Sequence, residues 1–124
     1  MILKYLWAAL ICTLVIFILC VIPGQDLPKV GIINSDKAVH SVMFGALTYL
    51  YAILLNKQTT YQFLNRHYLV FAFLFSTLYG GFMEILQANL DINRAGDWFD
   101  FLFDGIGALA TIVVLNLKKD WLLR

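Results

Sequence analysis

Three ionisable residues stand inside long hydrophobic segments of this chain: His40, Glu84 and Asp104. An imidazole and carboxylates held at close range can move a proton to and from a bound substrate, and the same groups can ligate a divalent cation. Glu84 is the sharpest of the three. It interrupts the run LYGGFMEILQANL, roughly five residues before that segment ends, or about 7 Å below its boundary at helical rise. An ionised acid at mid-bilayer is unfavourable by about 2.5 to 3.5 kcal/mol, less toward the interface, so a residue kept there has a ligand or a neighbouring helix to serve.

Each of these residues has polar neighbours at helical spacing. Asp36, Lys37 and His40 share one helix face. Ser35 or Asp36 is a ready N-cap and Lys37 can extend its amine to the headgroups, but capping does not require an imidazole one turn further in. Gln87 follows Glu84 on the same face, with Gly80 and Thr77 continuing the stripe inward. A buried hydrogen bond between helices and a place in the site both suit Gln87. In NRAGDWFDFLFDG, Asp97, Asp100 and Asp104 line one face of a helix. Asp97 can cap that helix and Asp100 can complete the exchange at its third position, whereas Asp104, about 10 Å in, is beyond a cap's reach. Arg94 is the natural counter-ion, its guanidinium suited to a carboxylate or a phosphate.

The elements that must position these residues are read from composition. Of the 124 residues, 61% are apolar and 14% charged, with a mean hydropathy of +0.79. That leaves too little polar surface to cover a water-facing globule, so lipid is the solvent for most of the chain. A net charge of +1 without a basic, aromatic-interleaved run excludes a nucleic-acid partner. Four apolar segments, at about residues 5–22, 38–55, 68–88 and 98–117, are each near the roughly 17 to 25 residues that cross a bilayer. They predict an all-α, polytopic four-transmembrane-helix bundle forming a single membrane domain over residues 1–124. Lys4 before the first segment resembles a secretion signal, but the apolar run is long and no small-x-small cleavage site follows, so a retained helix is expected. Pro23-Gly24 and Pro28 make residues 23–36 a loop, Asn56 to His67 is a polar link with room for a short surface helix, and Asn89 to Gly96 is a tighter turn. Cys12 and Cys20 would stand about 12 Å apart on a helix, too far to bridge.

Charge then gives orientation. Four crossings place Lys4, Lys57, Arg66, Lys118, Lys119 and Arg124 on one side and Lys29, Lys37 and Arg94 on the other. The excess of bases predicts that both termini are cytoplasmic. Every acid except Asp120 belongs to the outer half. His40, Glu84 and Asp104 fall within roughly one to two turns of that outer face on three different segments. A bundle would therefore gather them in one outward-open polar pocket, with Gly80-Gly81 and Gly105-Ile106-Gly107 allowing close helix approach.

The same residues carry a resemblance. The order D-K-x-x-H (Asp36, Lys37, His40), then G-x-x-x-E-x-x-Q (Gly80, Glu84, Gln87), then R-x-x-D-x-x-D-x-x-x-D followed by Gly105 (Arg94, Asp97, Asp100, Asp104) resembles the VanZ-like family of bacterial membrane proteins over residues 36 to about 108. In that family an Asn is common where this chain carries Asp104, and the added negative charge alters the pocket's proton or cation balance. The resemblance implies a small multi-helix membrane domain, and the founding member is associated with low-level resistance to the glycopeptide teicoplanin. It implies no particular reaction.

Three functions fit. The first is an enzyme acting on a lipid or lipid-linked cell-envelope precursor, with His40, Glu84 and Asp104 catalytic and Lys37, Gln87, Arg94, Asp97 and Asp100 binding substrate. In that reading Glu84, His40, Asp100 and Asp104 are also the candidate metal ligands, although no compact motif such as H-E-x-x-H is present. The second is a module that binds a lipid headgroup or an amphipathic antibiotic; transport through so thin a bundle would require an oligomer. The third is a hydrogen-bond network that fixes helix packing. Ionisable residues inside a membrane are functional by default, which ranks the first two above the third.

Overall fold

The computed structural model describes residues 2–21, 35–89 and 98–118, the side chains of 35–37 excepted. Arg94, Asp97 and the Lys37 side chain, three of the expected substrate contacts, therefore lie outside the described residues. Five helices follow in order: α1 (Ile2–Val21), α2 (Ser35–Lys57), α3 (Gln62–Arg66), α4 (Tyr68–Asn89) and α5 (Trp98–Leu117). All of α1, α4 and α5, and Ala38–Lys57 of α2, are long and apolar enough to cross a membrane. The protein is an all-α bundle of the multi-pass membrane class. Observed helices extend past the apolar segments at several ends because hydropathy marks only the lipid-solvated stretch. The first turn of α2, Ser35 to Lys37, and its last residue, Lys57, are polar yet helical.

The connection between α2 and α4 folds on its own amides. Gln58 Nε2 donates to the Tyr61 carbonyl at 2.8 Å while the Tyr61 amide donates to Gln58 Oε1 at 2.8 Å. Asn65 Nδ2 donates to the carbonyl of Asn56 at 2.6 Å. These bonds satisfy carbonyls left open at the end of α2 and fix the one-turn surface helix α3 beside it.

α2 is the hub, touching α1, α3, α4 and α5. Ser41 meets Phe103 and Gly45 meets Thr111, so α2 and α5 run in the same direction. Thr13 meets Tyr79 and Cys20 meets Gln87, so α1 and α4 run together, opposite to the first pair. Two apolar clusters lie between them: Ile16, Cys20, Phe44, Leu47 and Met83 in one, and Ala52, Ala72 and Leu115 in the other. The large side chains Trp7, Leu14, Val42, Leu78 and Leu117 are exposed on the outside, as a lipid-facing surface requires.

Lipid removes the hydrophobic drive that joins helices in water, leaving close packing and interhelical hydrogen bonds to do so. The α2–α5 seam uses both. A Cβ at Gly107 would fall on the Ser41 carbonyl, so only glycine permits the observed backbone approach. Around it Ser41 Oγ donates to the Phe103 carbonyl at 3.0 Å, and Thr111 Oγ1 to the Gly45 carbonyl at 3.1 Å. Gly105 differs from the expectation of close approach: a Cβ there would meet nothing within 4 Å.

α1 is the outlying helix and is held by polar bonds. Thr13 Oγ1 lies 2.9 Å from the Tyr51 hydroxyl, and the Tyr79 hydroxyl donates to the Thr13 carbonyl at 2.9 Å. Gln87 Nε2 donates to the Cys20 carbonyl at 2.9 Å, and both residues are buried. Neutral interhelical bonds in membranes average about 0.6 kcal/mol with a ceiling near 1.7. Gln87→Leu is expected to approach that ceiling, because it removes a donor to a buried carbonyl, and to loosen α1 specifically. Thermal unfolding in detergent, with protease sensitivity of α1 as the local readout, checks this; an unchanged midpoint and unchanged cleavage would contradict it.

Candidate polar centre within the bundle

The parallel course of α2 and α5, opposed by α4, brings the first turns of the former level with the last turns of the latter. His40 on α2, Asp104 on α5 and Glu84 on α4 are thereby delivered to one depth. Each offers one ligand atom, and these atoms all lie within 4.8 Å of one another. Their burial is close to complete, with relative exposures of 6% for His40, 2% for Glu84 and 0% for Asp104.

His40 Nδ1 stands 2.8 Å from Asp104 Oδ1, the length of a charge-assisted hydrogen bond in which the ring N–H donates to the carboxylate. The opposite ring nitrogen, Nε2, is 3.8 Å from Asp100 Oδ2. Two carboxylates one helical turn apart on α5 thus bracket the imidazole edge to edge. Phe44, one turn below His40 on α2, lies parallel to the ring, with centroids 6.3 Å apart and planes 5° apart. The ring is therefore fixed in its plane by α5 and across its face by its own helix.

Asp104 owes its position to a glycine on α4. A Cβ at Gly80 would stand 2.8 Å from Asp104 Oδ2 and 3.3 Å from the Phe44 ring. The second carboxylate oxygen, Oδ2, is buried against that gap and has no hydrogen-bond partner among the described residues. Buried acceptors in native structures are almost always satisfied, so an open one inside a polar cluster calls for a partner from water, an ion or a proton.

The expected site residues separate into groups. His40, Glu84 and Asp104 are brought together, with Asp100 against the imidazole. Gln87 is not: its amide reaches α1, the helix-contact alternative. Asp100 is 8% exposed and faces His40, which places it beside the imidazole and not only at a helix cap. The three central groups are gathered in one buried cluster. Depth along a helix is readable from sequence, whereas the contact of His40 with Asp104 depends on how α2 and α5 are rotated about their axes.

Phe44 and Ser41 were missed. Phe44 had a signal, since it follows His40 at the spacing of residues that stack on one helix face. Ser41 had none, because its partner is a backbone carbonyl on another helix.

No family model, curated protein or solved structure matches the chain. The centre therefore has to be read from its chemistry. It combines one imidazole and up to three carboxylates from three helices, inside the hydrocarbon region, near the end of the bundle where α2 and α5 begin. Such a set can relay a proton, stabilise a cationic group or hold a divalent cation through His40, Glu84 and Asp104.

Proposed function

We propose that this protein binds and processes the polar headgroup of a cell-envelope lipid, or of a lipid-linked envelope precursor, at the His40, Glu84 and Asp104 centre. The observation that carries the reading is the burial of three ionisable groups from three helices within one cluster, in a protein whose outer surface is apolar. Intramembrane groups of this kind are costly to keep and mark sites of ligand or proton handling. A lipid reaches such a depth laterally with its tail in hydrocarbon and its headgroup at the boundary, where a water-soluble substrate would first have to be desolvated. His40 serves as the proton-transfer group, aligned by Asp104 and Asp100, and Glu84 supplies the facing carboxylate. Lys37, Arg94 and Asp97 belong by sequence to the same face of the membrane and supply headgroup contacts.

The excess of bases on the opposite side supports an orientation with both termini in the cytoplasm and the centre toward the outer leaflet. The motif order shared with the VanZ-like family supports an envelope role in bacteria and a link to tolerance of teicoplanin-type glycopeptides.

Glu84→Gln keeps the shape of the residue and removes its charge. In a bacterium expressing the protein, this variant is expected to abolish any rise in teicoplanin tolerance and any change in envelope lipids seen by mass spectrometry, with membrane levels of the protein unchanged. Loss of the proton-transfer group itself, in His40→Ala, is expected to cost about 10²- to 10⁴-fold in rate. Full activity of Glu84→Gln at normal abundance would defeat the proposal and favour a purely structural network, the reading that the short bond from α2 to α5 would then support.

A further inference from the structure

We infer that His40, Glu84 and Asp104 form a binding site for one divalent transition-metal ion, Zn²⁺ or Mn²⁺ by their donor chemistry. The inference goes beyond the proposed function and holds whether or not a lipid is the substrate.

Geometry is the first support. Three donors from three helices have ligand atoms within 4.8 Å of one another. Around an ion with bonds of about 2.1 Å, neighbouring ligands stand about 3.0 to 3.4 Å apart and opposed ones about 4.2 Å. His40 Nδ1 and Asp104 Oδ1, 2.8 Å apart in a hydrogen bond, would move to the spacing of neighbouring ligands as an ion takes the place of the shared proton. Glu84 supplies the third ligand atom within the same 4.8 Å.

Charge is the second. Glu84 and Asp104 converge in a buried space with Asp100 beside them. Carboxylates this close in a low-dielectric setting repel unless a cation stands among them or one of them is protonated. A proton on His40 supplies one unit, and a divalent ion supplies two with its ligands arranged around it.

The third support is independent of both. Asp104 Oδ2 is fully buried and without a hydrogen-bond partner among the described residues, although it lies inside the cluster. A metal-ligating carboxylate leaves an oxygen in that condition when the cation is its partner. Gly80 keeps that oxygen in place, since a Cβ there would stand 2.8 Å from it.

The surroundings complete the picture. A ligating histidine donates its other ring N–H to a carboxylate or carbonyl, which fixes the ring and strengthens the ligand. Asp104 and Asp100 flank the two nitrogens of His40 at 2.8 and 3.8 Å, so whichever nitrogen takes the ion, an α5 carboxylate remains to hold the ring. One imidazole with two carboxylates favours Zn²⁺ or Mn²⁺ over Mg²⁺, which prefers oxygen ligands and retains its waters. Three protein ligands leave coordination positions free for water or a headgroup oxygen, as in catalytic sites.

The full chain, purified in detergent with its affinity tag removed, is to be assayed for bound metal by mass spectrometry. About one equivalent of Zn²⁺ or Mn²⁺ is expected, falling to background in His40→Ala and Glu84→Gln. After chelation, titration with Zn²⁺, Mn²⁺ and Mg²⁺ should raise the unfolding temperature of the wild-type protein for the first two at far lower concentration than for Mg²⁺. Asp100→Asn should bind the preferred ion 10- to 100-fold more weakly, about the cost of losing an outer carboxylate. A wild-type protein that carries no metal and shows no thermal response to any of the three ions overturns the inference, and this arm does not depend on a variant folding. The function proposed above fails separately: metal bound in the wild type together with an inert Glu84→Gln phenotype leaves a structural metal site, whereas a dead Glu84→Gln in a metal-free protein leaves a metal-independent lipid site.

Discussion

Gly107→Ala is expected to prevent stable folding, with a loss of about 3 kcal/mol or more, at or above the usual upper end for overpacking a core. The reason lies in what the added methyl would meet. At most crowded positions the neighbour is a side chain that can rotate away, but at Gly107 it is the Ser41 carbonyl and its adjoining backbone atoms. Relief requires α2 and α5 to separate. Separation would stretch the Ser41 to Phe103 and Thr111 to Gly45 bonds and draw His40 away from Asp104. Gly105→Ala, two residues earlier, meets nothing within 4 Å. It should be neutral or stabilising by about 0.5 to 1 kcal/mol, because alanine is the better helix former. Denaturation followed by tryptophan fluorescence checks the contrast; equal stability of the two variants would show that the seam is looser than described.

Asp104→Ala should have an effect of similar size by a different route. Removing one partner of a buried charged pair typically costs about 3 to 5 kcal/mol, whereas neutral interhelical bonds in membranes average only about 0.6. The first figure applies here because His40, 6% exposed, would lose the carboxylate that pairs its Nδ1. Replacing both groups removes that burden, so His40→Leu/Asp104→Leu is expected to be more stable than Asp104→Ala while lacking activity and metal. Unfolding in the presence of a chelator isolates the pair from any bound ion. A double variant less stable than either single one would mean that the polar pair contributes net stability, contrary to the general behaviour of buried ion pairs.

Sequence and structure agree most where depth alone decides. Hydropathy located four spanning helices, and counting residues from their ends put His40, Glu84 and Asp104 at one level. What hydropathy does not carry is rotation about each helix axis. In water an apolar stripe reveals the buried face, but a helix that is apolar all round, as α1 nearly is, gives no such cue. Gly105 and Gly107 therefore looked equivalent in sequence, although one faces open space and the other the Ser41 backbone. Gln87 and Glu84 share a face at one turn's separation, yet Gln87 bonds to α1 while Glu84 joins the cluster. The tethers of Thr13 to Tyr51 and Tyr79 depend on which helices are neighbours, and single-chain periodicity carries no information about that.

The division of the centre among α2, α4 and α5 also sets an order on biogenesis. His40 leaves the ribosome with the first hairpin and Glu84 follows, but Asp104 and Gly107 arrive only with the last helix. Until then α2 waits in the bilayer with an unmatched imidazole and an uncovered seam. Insertion of α5 beside α2, between segments far apart in the chain, is the event that turns a string of inserted helices into a working protein. A nascent chain halted before residue 98 would carry two of the three donors and the α2–α4 packing but none of the α2–α5 seam, and would be a natural target for membrane quality control.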